Sequence, residues 1–295
     1  MSAPLRAAIP GGVRTLSVVV PCHDYGRFLP DALGSIAAQT RPADEVLVVD
    51  DGSADETLDV ARAFAERWPA CGVLSRAPAR GAVATFNDGV RATGGELVVI
   101  LSADDVVAPN YLEALEARLV GTEASFAYSG VRYFGSRSGS WPARPFDPRR
   151  LARANFVNGS AMFTRELFEQ VGGFDAGFDR TGMEDWAFWV AALSRGATGV
   201  PVPDTWLGYR RHEGGSRNSL PVRSLLAVHR GARRRWPEVV TPRALVEGIA
   251  LDLVASARVR LLERAGRAGP ERVTSAPGLS GEKEAPDERR GPQAE

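Results

Sequence analysis

The sequence predicts an α/β fold in which a mainly parallel central sheet is flanked by helices and followed by a C-terminal helical extension. Short, continuously apolar runs, such as LSVVVP at residues 16–21, are typical of strands that are covered on both faces. Longer stretches in which apolar residues recur at helical spacing separate these runs. Strands that alternate with helices in this way favour right-handed βαβ units and therefore parallel neighbours.

The part of the chain up to residue 119 contains four strand and helix pairs. Strands are predicted at residues 16–21, 45–50, 71–75 and 96–102, and helices at residues 27–39, 54–68, 82–92 and 109–119. Pro109 suits the first turn of the fourth helix, where its missing N–H is not needed. Because parallel α/β sheets bind ligands beyond the carboxyl ends of their strands, the residues directly after each strand form the candidate site.

The second part of the chain has a different pattern. Further strands are predicted at residues 126–134, 156–164 and 198–203, helices at 165–171 and 184–194, and a loop at 135–148. A last helix begins at Thr241 and Pro242, and its apolar stripe is expected to dock on the body or on a partner: Leu245, Ile249, Leu253, Val254, Leu261 and Leu262. The predicted organisation is an N-terminal extension (1–14), a main domain (15–236), the C-terminal helix (237–268) and a disordered tail (269–295).

Composition excludes several classes of protein. The 295 residues include 36 Lys and Arg against 36 Asp and Glu, so the chain lacks the basic excess of a nucleic-acid-binding protein. The two cysteines, Cys22 and Cys71, fit no metal-binding spacing, and we expect buried free thiols. The sequence shows neither a signal peptide nor an apolar run long enough to span a membrane, which predicts a cytoplasmic protein.

A basic cluster near the C-terminus allows two interpretations. Residues 233–235 are three arginines beside Trp236, and such a cluster could contact anionic lipid at the inner face of the membrane. The alternative is the solvated basic end of a helix, which needs no partner.

Two pairs of aspartates follow predicted strands. Asp50 and Asp51 end the second strand, and Asp104 and Asp105 follow the fourth. Adjacent carboxylates repel each other unless a cation or hydrogen-bond donors compensate, and Mg²⁺ or Mn²⁺ on a diphosphate would do so. The alternative is turn chemistry, with Ser53 capping the next helix, but two such pairs at central strand ends favour a binding site.

Two more polar groups lie further along the chain. Glu184 and Asp185 open a predicted helix, where acids either complement the helix dipole or supply a general base. Arg210 and His212 follow an apolar stretch and could neutralise a departing diphosphate. His229, like His23, is open to a simpler interpretation as a lone surface histidine.

Taken in order, these motifs resemble the family 2 glycosyltransferases, which have the Rossmann-like GT-A fold. The resemblance covers residues 16–218 and rests on six blocks in sequence: VVVPCHDYGRFLPDALGSIAAQT, EVLVVDDGSADET, FNDGVRATGGELVVILSADD, NGSAMFTRELFEQVGGFD, GMEDWAFW and YRRHEGGS. The family transfers a sugar from a nucleotide-diphosphate donor, and the first three blocks are individually fairly specific.

The resemblance implies a role for each matched residue. Asp104 matches the metal-binding acid of the family, and the implied cofactor is Mn²⁺ or Mg²⁺. Asp185 matches the catalytic base of inverting members, with Glu184 as its neighbour. The residues implied at the donor are Pro21, Asp24, Asp50, Asp51, Asn87, Ser102, Asp105, Arg210 and His212.

Within the donor set the implied roles differ. Pro21 and the loop after it resemble the segment that lines the pocket for the nucleotide base. Asp51, beside Asp50, matches the acid that recognises this base. Arg210 and His212 resemble the group that faces the diphosphate.

Four positions depart from the family pattern. Ser102 replaces the first acid of the Asp-x-Asp metal motif, so we expect a lower metal affinity rather than its loss. His23 and Asp24 stand where Tyr-Asn is usual, which bears on the choice of donor. Phe86 stands where many members carry arginine, which removes one phosphate contact.

The implied activity is transfer with inversion, with a UDP-sugar as the favoured donor and a glycan, a lipid-linked sugar or a small molecule as the acceptor. A sugar nucleotidyltransferase is one alternative, but it would carry a Gly-rich basic loop where this chain has CHDYGRF. A donor-binding protein without turnover is another, and Ser102 is the feature that supports it. A receiver-type signalling domain would place its acids after the first strand rather than the second. Residues 133–153 and 155–160 are expected to select the acceptor.

Overall fold

The structure, a computed structural model, describes residues 14–212 and 222–266. Its strands are β1 (Leu16–Cys22), β2 (Glu45–Asp51), β3 (Cys71–Arg76), β4 (Leu97–Ile100), β5 (Val106–Val107), β6 (Phe126–Gly135), β7 (Gly139–Trp141), β8 (Met162–Thr164) and β9 (Gly199–Arg211). Its helices are α1 (Leu29–Ala37), α2 (Thr57–Ala65), α3 (Ala82–Ala92), α4 (Tyr111–Val120), α5 (Pro148–Leu151), α6 (Arg165–Val171), α7 (Glu184–Ser194), α8 (Val222–Arg235) and α9 (Pro242–Gly266). The predicted N-terminal extension, except Arg14, and the predicted tail lie outside the described residues.

In the described part of the chain the strands form one sheet, in the order β3-β2-β1-β4-β8-β6-β9-β5 with β7 beside β6. The first four strands in this order are parallel neighbours, as their alternation with helices predicts. β8 is antiparallel to both β4 and β6, and β9 runs parallel to β6. The predicted α/β fold is confirmed, and its sheet becomes mixed beyond β4.

Two core clusters cover the two faces of the parallel strands. Val18 and Val20 of β1 pack with apolar residues of α1 and α4, whereas Val19 packs with residues of α3, α6 and α7. Successive side chains of a strand point to opposite faces, so a continuously apolar strand supplies both clusters. This layering leaves the carboxyl ends of β1, β2 and β4 together at one edge of the sheet.

The predicted strand at residues 156–164 is wrong for most of its length, because only Met162–Thr164 pair with neighbouring strands. Asn158 closes a turn before them. Its side-chain oxygen accepts a hydrogen bond from the Ser160 N–H at 3.0 Å, and its carbonyl accepts one from the Ala161 N–H at 3.2 Å. Asparagine favours such local bonds over a strand ladder, so the chain turns here.

β6 and β9 are longer partners than the sequence predicts. The predicted strand at residues 198–203 extends to Arg211, because it pairs along the whole of β6 with a register shift between Ser129 and Gly130. The predicted loop at residues 135–148 contains β7, which folds back onto β6 as a hairpin. Residues of both strands line one side of the site.

The two C-terminal helices pack against α7 through His229. The interpretation of His229 as a surface residue is wrong, because its side chain is 0% exposed. Its Nε2 lies 2.8 Å from Asp252 Oδ2 on α9, and its ring centroid lies 4.9 Å from that of Trp186 on α7. Asp252 supplies the polar partner that a buried imidazole requires.

The predicted apolar stripe of α9 is docked in part. Leu245 packs against the core cluster that contains α7, whereas Val254 is 68% exposed. The side chains of Leu261 and Leu262 lie outside those the structure describes. Within residues 14–212 and 222–266, no helix combines the length and the apolar character that crossing a bilayer requires.

Both cysteines are buried free thiols, as the sequence predicts. Burial raises the pKa of Cys22 to about 12 and that of Cys71 to about 11. Both thiols are therefore protonated at neutral pH and behave as small apolar side chains.

Candidate active site

A cleft of about 520 Å³ lies at the carboxyl ends of β1, β2 and β4. Six of the predicted site residues line it: Pro21, Asp51, Ser102, Asp104, Asp105 and Glu184. The loop after β3 and the first turns of α3 form the facing wall. The strand-end rule therefore locates this cleft correctly from the sequence.

The two aspartates at the end of β2 have different surroundings. Asp51 Oδ1 accepts hydrogen bonds from the Arg76 Nε at 2.7 Å and from the Arg80 N–H at 2.8 Å, and its Oδ2 accepts one from the Gly81 N–H at 2.8 Å. Burial alone would raise the pKa of Asp51, but these bonds together hold it below its usual value. Asp51 thus fixes the loop after β3 while still lining the cleft.

Asp50 points away from the cleft. Its two carboxylate oxygens accept hydrogen bonds from the Ser53 N–H at 3.0 Å and from the Ser75 hydroxyl at 2.8 Å. These are the contacts of turn chemistry, the alternative that the sequence left open for this pair. Asp50 supports Asp51 through the turn rather than by a direct place in the cleft.

The second pair of acids meets the end of β9. His212 Nε2 lies 3.1 Å from Asp104 Oδ2, and the Arg210 N–H donates to Asp105 Oδ1 at 2.8 Å. Burial raises the pKa of Asp105 well above its usual value, and the neighbouring Asp104 adds to this effect. The buried carboxyl group of Asp105 thus holds β9 against the strand end that carries Asp104.

Arg210, which the resemblance places at the diphosphate, contacts protein groups in the structure. Its guanidinium donates to the Asp104 carbonyl and to Asp31 Oδ2, at 2.8 and 2.7 Å, and lies 4.5 Å from the centroid of the Phe134 ring. Arg210 lies outside the lining of the cleft, and its guanidinium anchors the acidic strand end. Its predicted role at the diphosphate stays a prediction.

The donor set around Asp104 suits a hard or borderline divalent ion. The Asp104 carboxylate lines the cleft, as Ser102 does, and the His212 imidazole lies beside Asp104, just outside the residues that line the cleft. Oxygen and imidazole ligands suit Mn²⁺, and Mg²⁺ accepts one or two carboxylates with phosphate oxygens and water. Among the described residues no group of three or more His, Cys, Asp or Glu side chains is arranged for a metal. Phosphate oxygens of a donor would have to complete the coordination.

A second cavity of about 320 Å³ adjoins the cleft and contains Asp185. Asp185 Oδ2 accepts a hydrogen bond from Asn155 Nδ2 at 2.9 Å, and Oδ1 accepts one from the Trp186 N–H at 2.7 Å. Burial, with a smaller contribution from Glu184, raises the pKa of Asp185 to about 6. A carboxylate with this pKa is deprotonated at neutral pH yet is a stronger base than an exposed aspartate.

The cleft and the second cavity share one boundary. Six residues line both the cleft and the second cavity: Phe86, Ser102, Asp105, Gly182, Glu184 and Tyr209. Asp104 lies on the side of the cleft and Asp185 on the side of the second cavity. A molecule in each could therefore meet between these two acids.

Two predicted donor residues are used elsewhere in the fold. The Asn87 side chain makes two hydrogen bonds with the backbone of Phe174: it donates to the carbonyl at 2.9 Å and accepts from the N–H at 2.8 Å. Asp24 has a φ of 56° and accepts the Ala54 N–H at 2.7 Å. Both lie outside the lining of the cleft, and their contacts shape the loops around it.

Sequence reasoning missed two residues of the site: Arg76 binds Asp51, and Tyr209 lines both cavities. Asn155, which binds Asp185, lies in the segment 155–160 that was expected to select the acceptor, although its hydrogen bond to Asp185 was not predicted. Arg76 is a single polar residue at the end of a strand without a motif, so no pattern marks it. Tyr209 lies in the YRRH block, in which the sequence predicts roles for Arg210 and His212 only.

The family model described as glycosyl transferase family 2 matches residues 17–180, more than half of the chain. The chain belongs to this family. It is therefore a glycosyltransferase, as its motifs indicate, and the match includes both pairs of acids at the strand ends. Asp185 and His212 lie beyond the end of the match.

Curated relatives of this family 2 glycosyltransferase include two biosynthesis proteins. The PGL/p-HBAD biosynthesis glycosyltransferase of Mycobacterium bovis is 28% identical over 242 residues, which are 78% of this chain and 93% of that protein. The O-antigen biosynthesis protein RfbC of Myxococcus xanthus is 32% identical over 170 residues, 56% of this chain and 13% of the relative.

Solved structures share the fold of this glycosyltransferase. The mannosyltransferase PcManGT of Pyrobaculum calidifontis, in complex with GDP-Man and Mn²⁺, has a TM-score of 0.61 and 24% identity, covering 90% of this chain and 79% of its own. S. aureus TarS 1–349, in complex with UDP-GlcNAc, has a TM-score of 0.64 and 16% identity, covering 85% of this chain and 92% of its own. Both are glycosyltransferases of the GT-A fold, which confirms the predicted fold class.

Proposed function

We propose that this glycosyltransferase binds a nucleotide-diphosphate sugar in the cleft and transfers the sugar, with inversion, to a hydroxyl of an acceptor in the second cavity. The observation that carries this proposal is the shared boundary between the two cavities, with Asp104 on one side and Asp185 on the other. The leaving diphosphate and the attacking hydroxyl would then lie on opposite sides of the anomeric carbon, as a single displacement requires.

Asp51 is suited to recognise the nucleotide base. A carboxylate offers about four acceptor positions, and the structure occupies two on Oδ1 and one on Oδ2. The remaining position on Oδ2 can accept an N–H from a base that lies against Pro21. Because Arg76 and the backbone hold the carboxylate in place, this contact requires no reorganisation.

Asp104 and His212 are the residues that would hold a divalent ion together with the donor diphosphate. When bound, the ion would neutralise the charge that develops on the leaving diphosphate. Asp105 and Arg210 position these ligands by fixing the end of β9 to the strand end. Ser102 supplies a hydroxyl where a carboxylate is usual, so we expect a weaker metal affinity.

Asp185 is the group that would remove the proton of the attacking hydroxyl. Its carboxylate lines the acceptor cavity, and Asn155 holds the orientation of Oδ2. Glu184 lies at the boundary and is 8% exposed. A positioned carboxylate of this kind contributes about 10²- to 10⁴-fold to the rate of such a reaction.

A panel of nucleotide sugars, tested by thermal shift with and without Mn²⁺, measures the choice of donor. We expect one nucleotide class to raise the melting temperature, and more so with Mn²⁺, because a ligand that binds only the folded state stabilises it. A UDP-sugar is the favoured class; the fold neighbours are complexes with GDP-Man and with UDP-GlcNAc. Stabilisation that is identical with and without metal would contradict the role of Asp104 and His212.

Family membership removes two of the alternatives, the sugar nucleotidyltransferase and the receiver-type domain. The remaining alternative, which Ser102 supports, is a protein of the same fold that binds the donor without turnover. Slow, metal-dependent hydrolysis of the donor, absent from the Asp185→Asn variant, separates an active enzyme from this alternative.

Peripheral contact with the inner face of the membrane stays a prediction. Within the described residues, Arg235 donates to Asp175 Oδ1 at 3.1 Å and Arg233 to the Pro237 carbonyl at 2.6 Å, contacts that favour the solvated helix end. The exposed Val246 and Val254 of α9 favour the membrane instead. Co-sedimentation with anionic and with neutral vesicles decides between them.

A further inference from the structure

One wall of the acceptor cavity is a continuous apolar face of the sheet. Val131 of β6 is paired with Trp141 of β7 on one side and with Leu207 of β9 on the other. Two residues along, Tyr133 is paired with Tyr209. Residues two apart on a strand share a face, and all five line the cavity, so they form one surface, here called the aromatic wall.

The aromatic wall is held by contacts within itself. The Trp141 Nε1–H donates to the Tyr133 hydroxyl at 3.2 Å, and the rings of Tyr133 and Tyr209 meet edge to face with centroids 5.7 Å apart. The indole N–H of Trp141 therefore already has a partner within the wall. Because Val131 and Leu207 are only 2% and 3% exposed, the wall presents mainly the rings of Tyr133, Trp141 and Tyr209 to the cavity.

The polar groups of the cavity lie outside the aromatic wall. Asp185 and Asn155 form one hydrogen-bonded pair, and Ser102, Asp105 and Glu184 lie at the boundary with the donor cleft. Tyr209 lies at the same boundary, so the cavity offers polar groups beside the reacting carbon and an aromatic surface that begins next to them. A ligand that matches this division has one reactive hydroxyl next to a flat apolar group.

We propose that the acceptor carries an aromatic ring on, or directly next to, the hydroxyl that attacks the donor, and that this ring lies on the aromatic wall. The inference rests on the proposed function and names the class of its acceptor. A free hexose fits less well, because its puckered ring offers only a small C–H face, whereas an aryl ring is flat and buries more apolar area against the wall. A phenol and an aryl glycoside share the required chemistry.

Matched acceptors test the proposal with the full chain and the donor identified by thermal shift. Phenyl glycosides and methyl glycosides of the same sugars are compared with simple phenols, and kcat/KM is measured for each. We expect phenyl glycosides, phenols or both to exceed the methyl glycosides by about 10-fold or more, since burying a ring face stabilises the complex. The phenol and glycoside arms show whether the hydroxyl lies on the ring or on the sugar beside it.

Variants of the wall make the test specific. Trp141→Ala should lower the preference for aryl acceptors at least about fivefold, mainly through KM, and Trp141→Phe should restore part of it. Trp206→Ala is the matched control: Trp206 precedes Leu207 on β9, lies outside both cavities, and packs with Arg132, whose guanidinium carbon is 4.8 Å from its ring centroid. We expect this control to keep the preference.

Donor hydrolysis measured without acceptor distinguishes failure of the proposed function from failure of the acceptor inference. If the chain neither binds nor hydrolyses any nucleotide sugar, the proposed function fails. If it hydrolyses the donor, but aryl acceptors are no better than methyl glycosides and phenyl ligands give no thermal shift, the acceptor inference alone is overturned. The same holds if Trp141→Ala retains the full aryl preference.

Discussion

Asp185→Asn is expected to lower the rate of sugar transfer about a thousandfold while the affinity for the donor stays unchanged. The amide keeps the size of the side chain but cannot take a proton from the acceptor, and general-base catalysis contributes about 10²- to 10⁴-fold. The measurement is kcat at saturating donor and acceptor, with donor affinity determined separately by titration. Glu169→Gln, at an exposed position of α6, is the control for loss of one negative charge.

The pH dependence of kcat is a second test of Asp185 as the general base. With the pKa of Asp185 raised to about 6, the base is deprotonated above this pH and protonated below it. We expect kcat to be flat near neutral pH and to fall towards tenfold per unit below about pH 6. Because the bond from Asn155 lowers the pKa of Asp185, Asn155→Ala should move this fall to higher pH. A profile that stays flat down to pH 4.5 would assign the base to another group.

Asp104→Asn is expected to weaken metal-dependent donor binding by about 100-fold or more. The change removes the carboxylate that, with His212, would hold the ion and leaves a neutral oxygen, which is a poor ligand for a hard cation. Donor affinity is measured by calorimetry at several Mn²⁺ concentrations. The effect should appear in the metal dependence as well as in the donor affinity itself.

Ser102→Asp is the counterpart of that variant. It restores the acid that is usual in the family motif at a position that lines the cleft, and we expect it to lower the Mn²⁺ concentration needed for half-maximal donor binding. Ser102→Ala should have a small effect, because Asp104 and His212 remain. An Asp104→Asn protein with unchanged metal dependence would show that the ion is held elsewhere.

The sequence predicts the elements that bring the acids together, because buried parallel strands have an unambiguous apolar pattern and their ends carry the function. Asp51 and Asp104 are predicted in this way, and Asp185 is predicted from the start of a helix and from the family resemblance; the structure places each of them in a cavity wall. Their roles in donor binding and catalysis remain proposals. The apolar pattern of the strands does not predict how many contacts each acid makes within the fold.

What the sequence could not predict depends on contacts between distant segments. Asn87 is fixed to Phe174, and His229 is buried against Trp186 and Asp252. In each case the partner lies far along the chain and no local spacing marks it. The turn at Asn158 was missed for a different reason, since its apolar neighbours outweighed a single turn-forming residue.

The bond between the Arg210 N–H and Asp105 joins residues 105 positions apart in the chain. It fixes the last strand of the sheet to the loop that carries Asp104, so the two proposed ion ligands, Asp104 and His212, lie together only when β9 is part of the sheet. The family match ends at residue 180, before α7 and β9 begin. A fragment cut at that boundary would keep the acidic strand ends but lose the proposed base, His212 and two of the five residues of the aromatic wall. The smallest unit able to act as an enzyme is therefore larger than the segment by which the family is recognised.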